Sequence, residues 1–474
     1  MSKKNCKRLQ NSQLIAIILP EITEKADYWI RIRKSRNDKV CGVTWVPNLF
    51  RGGIKVKKVF LIVFLSTLLV AVAFGAATKV KFWHMYLSGP SKDVMDEIIA
   101  EFNETHKGMI EVEDLAISFW DYWDKIRVAM AAKQEPDVFL HDLGNVGMRA
   151  STGILLDLKP FLVAAGFDPD EVFFEGPLQM CSYEGGIYAL PLETDVRLLF
   201  YNKDLFRQAG LDPEKPPTTW EELLSYAEKL DVVDKNGDYD VIGFNPLYGQ
   251  SYFWMYVWGK GESFINENGD VVVNTPGIIQ ALEEWVALID KMGLEKLLAF
   301  GANFGWGAAD AFIAGKVGMG IQVGNFIADL ATYAPDLDYG IAQIPYPVQK
   351  ATWSNGFSLE LSSRTKNRIE AVEFALYLLS DEVQLKLAHS ISSLIGNKRA
   401  AYKSDLLEDP EWKMQVEALE FTKFRPFVLE APLWYETLQV ATEEAIYGKK
   451  TPERALNDAQ KLIEAEIQKY KMTH

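Results

Sequence analysis

Two carboxylates and a set of tryptophans are the residues of this chain best equipped for chemistry. Glu193 and Asp195 stand two apart in PLETDVRLLF, so an extended segment would put both side chains on one face. A carboxyl pair can act as acid and base on a glycosidic bond, the separation of the two groups setting the outcome. The same pair can instead accept hydrogen bonds from hydroxyls, or sit in surface ion pairs. Asp142 follows the apolar run DVFL, residues 137–140, and would stand at the carboxyl end of a strand, as a ligand contact or as the cap of the next turn. The densest aromatic run is Tyr252-Phe253-Trp254-Met255-Tyr256-Val257-Trp258. A helix there would set Trp254 and Trp258 on one face, toward a core or toward a cleft. Trp306 lies in the Gly-flanked NFGWG, residues 303–307, and Trp353 in TWSNGF, residues 352–357. Glycines at such places either let backbone approach a ligand or only shape a loop. Arg425, just before Pro426, could reach a hydroxyl or a carboxylate, or serve a structural ion pair. Flat rings for C–H faces, with carboxylates, amides and arginines for hydroxyls, are the set a sugar requires.

Other chemistries lack their residues. Cys6, Cys41 and Cys181 form no CxxC pair or His/Cys cluster, so no zinc or thioredoxin-type site is expected. There is no GxSxG elbow, HExxH helix or GxxxxGK[ST] loop. Asp234, Asn236, Asp238 and Asp240 resemble the start of a calcium loop, but Tyr239 stands where that loop needs Gly and Asn245 where it needs Glu. Asn236-Gly237 reads instead as a hairpin turn, as does Asn268-Gly269. The net charge of -15 divides unevenly: residues 1–58 carry 14 Lys/Arg and 4 Asp/Glu, the remainder 36 and 61. A body that acidic is unsuited to nucleic acid.

The change of sign coincides with an apolar stretch. Val59 to Ala77 is an uncharged run of 19 residues behind Lys55, Lys57 and Lys58, ending in small side chains before Thr78. This is the pattern of a secretory signal peptide, with Gly75 and Ala77 suited to cleavage after Ala77. The 58 residues ahead of it are unusual, and residues 1–53 are read as a non-native or disordered extension, with 54–77 as the signal. An uncleaved membrane anchor is the competing reading, since 19 apolar residues can just span a bilayer.

Beyond Thr78 the pattern alternates. Lys79–Tyr86, Glu111–Ala116 and 137–140 read as strands, with helices over Ser91–Thr105 and Trp120–Ala132. Val196–Tyr201 follows as strand and Thr219–Leu230 as a capped helix, and the C-terminal part is helical, including Arg368–Leu379 and Pro452–Lys469. Such alternation predicts an α/β fold with mostly parallel sheets flanked by helices and ligand sites at the carboxyl ends of strands.

Four segments carry a family resemblance. They are GGIYALPLETDVRLLFYNKDLFRQAGLDPEKPPTTWEELLSYAEKL (185–230), AFIAGKVGMGIQVGNF (311–326), NGFSLELSSRTKNRIEAVEFALYLLSDEVQ (355–384) and APLWYETLQVATEEAIYGKKTPERALNDAQKLI (431–463). In this order they resemble the family 1 extracellular solute-binding proteins of the maltose/maltodextrin-receptor type. The resemblance implies a two-lobed periplasmic-binding-protein fold of type II, with one lobe over 79–192 plus 352–402 and the other over 196–348 plus 406–474. It implies a monomeric, exported receptor that captures a sugar by lobe closure and delivers it to the permease subunits of an ABC importer, with no cofactor and no catalysis. The alternative is a secreted glycoside hydrolase. By position, Trp83 resembles a cleft residue of similar receptors, although a core tryptophan is the other reading. Asp195 resembles a carboxylate near the sugar, and Trp434 a stacking tryptophan. With Asp142, Glu193, Trp258, Trp306, Trp353 and Arg425 these are the expected ligand residues. Two stretches depart from the maltose pattern, His141-Asp142 and Asn325-Phe326, so the resemblance implies a carbohydrate without naming maltose.

Cleavage after Ala77 gives a first prediction. Intact-mass measurement and N-terminal sequencing of the protein from its own host should find Thr78 at the mature terminus. A terminus before Val59 would exclude the signal-peptide reading.

Overall fold

The computed structural model describes residues 77–391 and 393–473. The extension 1–53 and the export segment through residue 76 lie outside the described residues. Among the described residues, no helix is long and apolar enough to cross a membrane.

Apart from a short hairpin of Ser182–Tyr183 with Gly186–Ile187, the strands are β1 (Thr78–His84), β2 (Ile110–Ala116), β3 (Val138–Asp142), β4 (Ala189–Thr194), β5 (Arg197–Asn202), β6 (Val232–Val233), β7 (Tyr239–Phe244), β8 (Val317–Val323), β9 (Tyr339–Ala342), β10 (Thr352–Trp353), β11 (Gly356–Leu361), β12 (Leu394–Ile395) and β13 (Thr422–Lys423). Two sheets carry the lobes. The first runs in the order β12-β4-β11-β3-β1-β2 and the second β9-β5-β8-β7-β6. Every residue of β4 and β5 is buried, as expected of strands with both faces covered. Only Asp195 and Val196 separate these two strands, yet they lie in different sheets, so the chain changes lobe there.

The local grammar behaves as its chemistry dictates. Thr219 caps the helix Trp220–Leu230 by accepting from Glu222 N at 3.1 Å, and Thr218 N donates back to Glu222 Oε2 at 2.7 Å. Thr275 caps Pro276–Met292, with proline in its first turn. Asn236-Gly237 turns the antiparallel β6–β7 pair, with Gly237 at φ 81°. Asn268-Gly269 likewise turns between Ile265 and Val271, which form an antiparallel bridge.

Strand direction differs from the sequence expectation. The pairs β1–β2, β1–β3 and β7–β8 are parallel, but β11 is antiparallel to both β3 and β4, β12 is antiparallel to β4, and β5 is antiparallel to β8 and β9. The sheets are mixed rather than mostly parallel. A parallel neighbour is reached through a helix folded over the same sheet. Strands such as β5 and β11 are entered from the other lobe, free of that requirement.

The first lobe buries charge in compensated form. Arg149 Nε donates to Glu360 Oε2 at 2.9 Å and its Nη1 to Asp142 Oδ1 at 3.2 Å. Ser358 Oγ gives Glu360 a further hydrogen bond at 3.1 Å, and Glu360 is wholly buried in β11. Removing one member of such a pair strands the other charge, at a cost of about 3–5 kcal/mol. Arg149→Met is therefore expected to lower unfolding free energy by that amount in urea titration, and the double variant Arg149→Met/Glu360→Gln to recover most of it. Equal stability of the single variant and the parent would show the pair to be dispensable.

Candidate functional site

Three segments meet where the chain passes between the sheets. Thr352 Oγ1 accepts from Arg197 N and donates to Arg197 O, both at 2.8 Å, and Thr194 Oγ1 pairs with Ser354 Oγ at 2.8 Å. Segment 194–197 is thus tied to 352–355. β13 joins β10 as a parallel pair, which brings Lys423 and its neighbour Arg425 to the same place.

Around Trp353, at this junction, side chains from five parts of the sequence converge. Asp195 Oδ1 accepts from Asn355 N at 2.7 Å and is ion-paired to Arg197 Nη1 at 2.5 Å. The Arg197 guanidinium lies 3.9 Å from the Trp353 ring centre, and its Nη2 is 3.4 Å from Gln250 Oε1. Arg425 stands over Tyr435 at 3.9 Å, over Trp353 at 5.0 Å and over Trp254 at 5.8 Å. Trp254 stacks on Tyr252 at 4.1 Å and meets Trp353 and Tyr435 edge-on at 6.0 and 5.0 Å. Burial raises the Tyr435 hydroxyl well above the usual range, the nearby Arg425 opposing the rise.

The polar atoms here are unusually short of partners. Among the described residues, the buried side-chain polar atoms without a hydrogen bond include Arg197 Nε, Ser251 Oγ, Trp254 Nε1 and Asn355 Oδ1. Such groups are costly in a folded interior unless something completes them. Four such atoms stand at this one junction, where polar atoms from outside the chain would complete them.

An aromatic band continues from this junction along the carboxyl ends of the first-lobe strands. Phe357, two residues after Asn355, lies 6.2 Å from Trp123 and 6.4 Å from Phe119. Trp123 packs on His141 at 5.4 Å, and Phe119 on Trp120 at 5.1 Å. Trp120 is 83% exposed.

The expected site residues are distributed as follows. Asp195, Trp353 and Arg425 come together in the junction. Trp434 lies beside it, buried, its indole N–H donating to Pro426 O at 3.1 Å, while the next residue, Tyr435, faces Arg425. Trp258 is buried behind, against Phe264, which in turn packs on Trp434. Trp83 is the last residue but one of β1, half-buried against the first-lobe core, and its carbonyl accepts from Tyr122 Oη at 3.2 Å. Asp142 ends β3, bound to Arg149. Glu193 is buried and hydrogen-bonded by Tyr86 Oη. Burial raises its carboxyl above the ordinary range, hydrogen bonds from Tyr86 and Ser393 oppose the rise, and the charge of Asp195 adds to it. Trp306 stands apart, 88% exposed on its loop. Among the described residues, no group of three or more His, Cys, Asp or Glu could hold a metal ion.

Sequence reasoning passed over Arg197, Gln250, Ser251, Asn355, Tyr435 and Trp120. The spacing of Asp195 and Arg197 was the one local signal, since two apart on extended chain places them on one face. The rest come from segments up to 238 positions distant, Arg197 to Tyr435, which no local pattern joins.

The profile of the bacterial extracellular solute-binding protein family matches residues 88–385. A binding protein of Brucella abortus (strain 2308) is 27% identical over 305 residues, 63% of this chain and 72% of the relative. The sn-glycerol-3-phosphate-binding periplasmic protein of Rhizobium meliloti (strain 1021) is 26% identical over 371 residues, 72% of this chain and 81% of that one. Among solved structures, a mannotriose-bound protein superimposes with a TM-score of 0.69 at 28% identity, over 82% of this chain and all of the other. The cyclic α-maltosyl-1,6-maltose binding protein of Arthrobacter globiformis shares the fold, with a TM-score of 0.69 at 24% identity over 83% of this chain.

Asp142 supplies a pH prediction. Burial alone would raise its carboxyl, but the His141 hydrogen bond and the Arg149 charge outweigh burial and hold it well below the usual range. A depressed carboxyl stabilises the fold above its unfolded pKa, about 4, and that contribution disappears as pH falls further. The stability gap between the parent and Asp142→Asn should be widest at neutral pH and shrink below about pH 4. A gap constant with pH would remove Asp142 from the ionised network.

Proposed function

The chain belongs to the bacterial extracellular solute-binding protein family, and from that premise we propose that it captures a carbohydrate between its lobes outside the cytoplasm and presents the closed form to the permease subunits of an ABC importer. It is a receptor and not an enzyme. The observation that carries the ligand class is the junction around Trp353, where aromatic rings and unpartnered buried polar atoms occur together. Rings meet the C–H faces of a sugar, and paired donors and acceptors meet its hydroxyls. The mannotriose-bound neighbour, at 28% identity, supports the same class.

In this reading Trp353, Tyr252, Trp254 and Tyr435 form the apolar wall on the crossing side. Asp195 and Asn355 Oδ1 accept from hydroxyls, and Arg425 and Trp254 Nε1 donate. Trp83, Asp142 and Trp120 border the cleft from the first lobe, with lobe 1 over 79–192 plus 352–402 and lobe 2 over 196–348 plus 406–474. Trp258 and Trp434 support the wall from behind, Glu193 holds its strand beneath, and Trp306 is a contact made on closure. The receptor acts as a monomer, released or tethered by the segment before Thr78. Closure is a hinge motion about the tied segments 194–197 and 352–355.

The test is stabilisation by ligand. A saccharide at 100 times its Kd adds about 2.7 kcal/mol to folding. Thermal-shift screening of neutral and charged mono- and oligosaccharides should find at least one compound that raises Tm by several degrees and contracts the particle in small-angle scattering. Trp353→Ala should abolish both responses. No stabilisation by any saccharide or polyol in the screen would overturn the carbohydrate reading.

A further inference from the structure

Resting on the carbohydrate reading and narrowing it, we propose that the ligand is a saccharide or polyol bearing an anionic group, carboxylate or phosphate, and that the Arg425 guanidinium is the counter-charge that selects it. The first ground is charge accounting at the junction. Two guanidinium groups, Arg197 and Arg425, stand around Trp353. Asp195 is ion-paired to Arg197, while Glu436 acts on Tyr435 through its charge without pairing with Arg425. Among the described residues no carboxylate lies within 4.0 Å of Arg425. The buried Arg149 is treated differently, paired with Glu360 and Asp142, and Arg364 and Arg399 also hold acids, Glu135 and Asp381, whereas Arg368, which meets only the Ser363 carbonyl, is exposed on the surface. Carboxylates are not scarce either, since 61 acidic residues face 36 basic ones beyond residue 58. An arginine without an acid, in so acidic a body, sits where an acid of its own would compete with the ligand.

The second ground is the kind of unpartnered atom present. Arg197, Trp254 and Ser251 are only 5%, 8% and 9% exposed, and Arg197 Nε, Trp254 Nε1 and Ser251 Oγ have no hydrogen-bond partner. The first two can only donate, and the third both donates and accepts. The atom that can only accept is Asn355 Oδ1, so donor-only atoms outnumber acceptor-only ones two to one. A neutral sugar hydroxyl both donates and accepts, and asks for a balanced set. An excess of donors around an uncompensated positive charge suits oxygens that only accept, those of a carboxylate or a phosphate. The rings over which Arg425 lies hold its flat face through their negative quadrupoles and leave its formal charge uncancelled. Its N–H edge meets the Tyr435 hydroxyl and no carboxylate, and such an edge pairs bidentately with oxyanions.

The experiment compares matched ligands by isothermal titration on the processed chain: glucuronate and galacturonate oligomers, glucose 1-phosphate and glycerol 3-phosphate, each against its neutral counterpart, with inorganic phosphate and acetate alone as controls. One charged compound should bind about 10- to 100-fold more tightly than its neutral form, the range a charge-assisted hydrogen bond supplies. The carboxylate and phosphate arms tell the two sources apart. Raising salt from about 0.05 to about 0.5 M should weaken the charged ligand more than the neutral one. Arg425→Gln should erase the preference, and Arg425→Lys should keep part of it. If Arg425→Gln does not fold, the matched-pair ratio, its salt dependence and Arg425→Lys still decide. Neutral sugars binding as tightly as charged ones, or a preference unchanged in Arg425→Gln, would overturn the inference and leave the carbohydrate reading standing. Inorganic phosphate or acetate binding as well as the sugar acids would keep the anion site and remove the carbohydrate. No binding in any arm would remove both.

Discussion

The Asp195 carboxylate is the contact on which the junction depends. It accepts from the Asn355 N–H and pairs with Arg197, so one side chain bonds the outgoing and returning segments and holds a guanidinium over Trp353. The Thr352 hydroxyl fixes the same two segments from the other end of the crossing. With β13 added alongside, three passes of the chain share one small region. In the proposed receptor, ligand contacts and hinge are therefore built from the same residues. A group that bonds to Asn355 or Arg197 acts directly on the segments about which the lobes would turn, and binding need not be relayed over a distance to affect their orientation.

The molecule handles buried charge in two opposite ways. In the first lobe the Arg149 guanidinium is saturated by Glu360 and Asp142, Ser358 fills a remaining lone pair, and the arrangement is closed to outside partners. Glu193 is kept under Tyr86, and burial favours its neutral form. At the junction, by contrast, donors are left incomplete although acids are abundant in the chain. Satisfied networks rigidify a core, whereas unsatisfied groups are retained where something must enter. This contrast separates the buried polar residues whose hydrogen bonds are complete from those whose hydrogen bonds are not.

Much of the architecture could be read directly. The cap at Thr219 and the turn at Asn236-Gly237 obey short-range rules acting over a few residues. The first and third strands, by contrast, end at His84 and Asp142 and not at Tyr86 and Leu140, because pairing with neighbours sets where a strand stops. The two-lobed α/β class also emerged, because alternating segments and four ordered blocks span most of the exported part. Strand direction did not, since it depends on which lobe a strand is entered from. The candidate site was legible in kind but not in membership. Asp195, Trp353 and Arg425 could be singled out by residue type and neighbours. Tyr435 could not be told from Trp434 on a helix start, because the choice is made by Pro426, whose carbonyl takes the Trp434 indole N–H.

Glu193 shows most sharply why alternation fails at the crossing. The ladder between β11 and β4 shifts register between Phe357 and Ser358: Phe357 faces Glu193, but Ser358 faces Pro191, leaving Leu192 as an extra residue in β4. In a regular strand Glu193 and Pro191 would share a face. One extra residue moves everything after it to the other side. Gly356 lies at the same point with φ 128°, and a Cβ there would come within 2.3 Å of Glu193 O, so the close approach of the two strands requires glycine. The irregularity therefore does what a bulge does at the rim of a sheet: it seats Glu193 under Tyr86 and sends the chain on to Asp195 at the junction. Phe357, on the partner strand, meets the aromatic band of Trp123 and Phe119. The departure from sheet geometry belongs to the construction of the site, and a reading based on period-two alternation had to miss it.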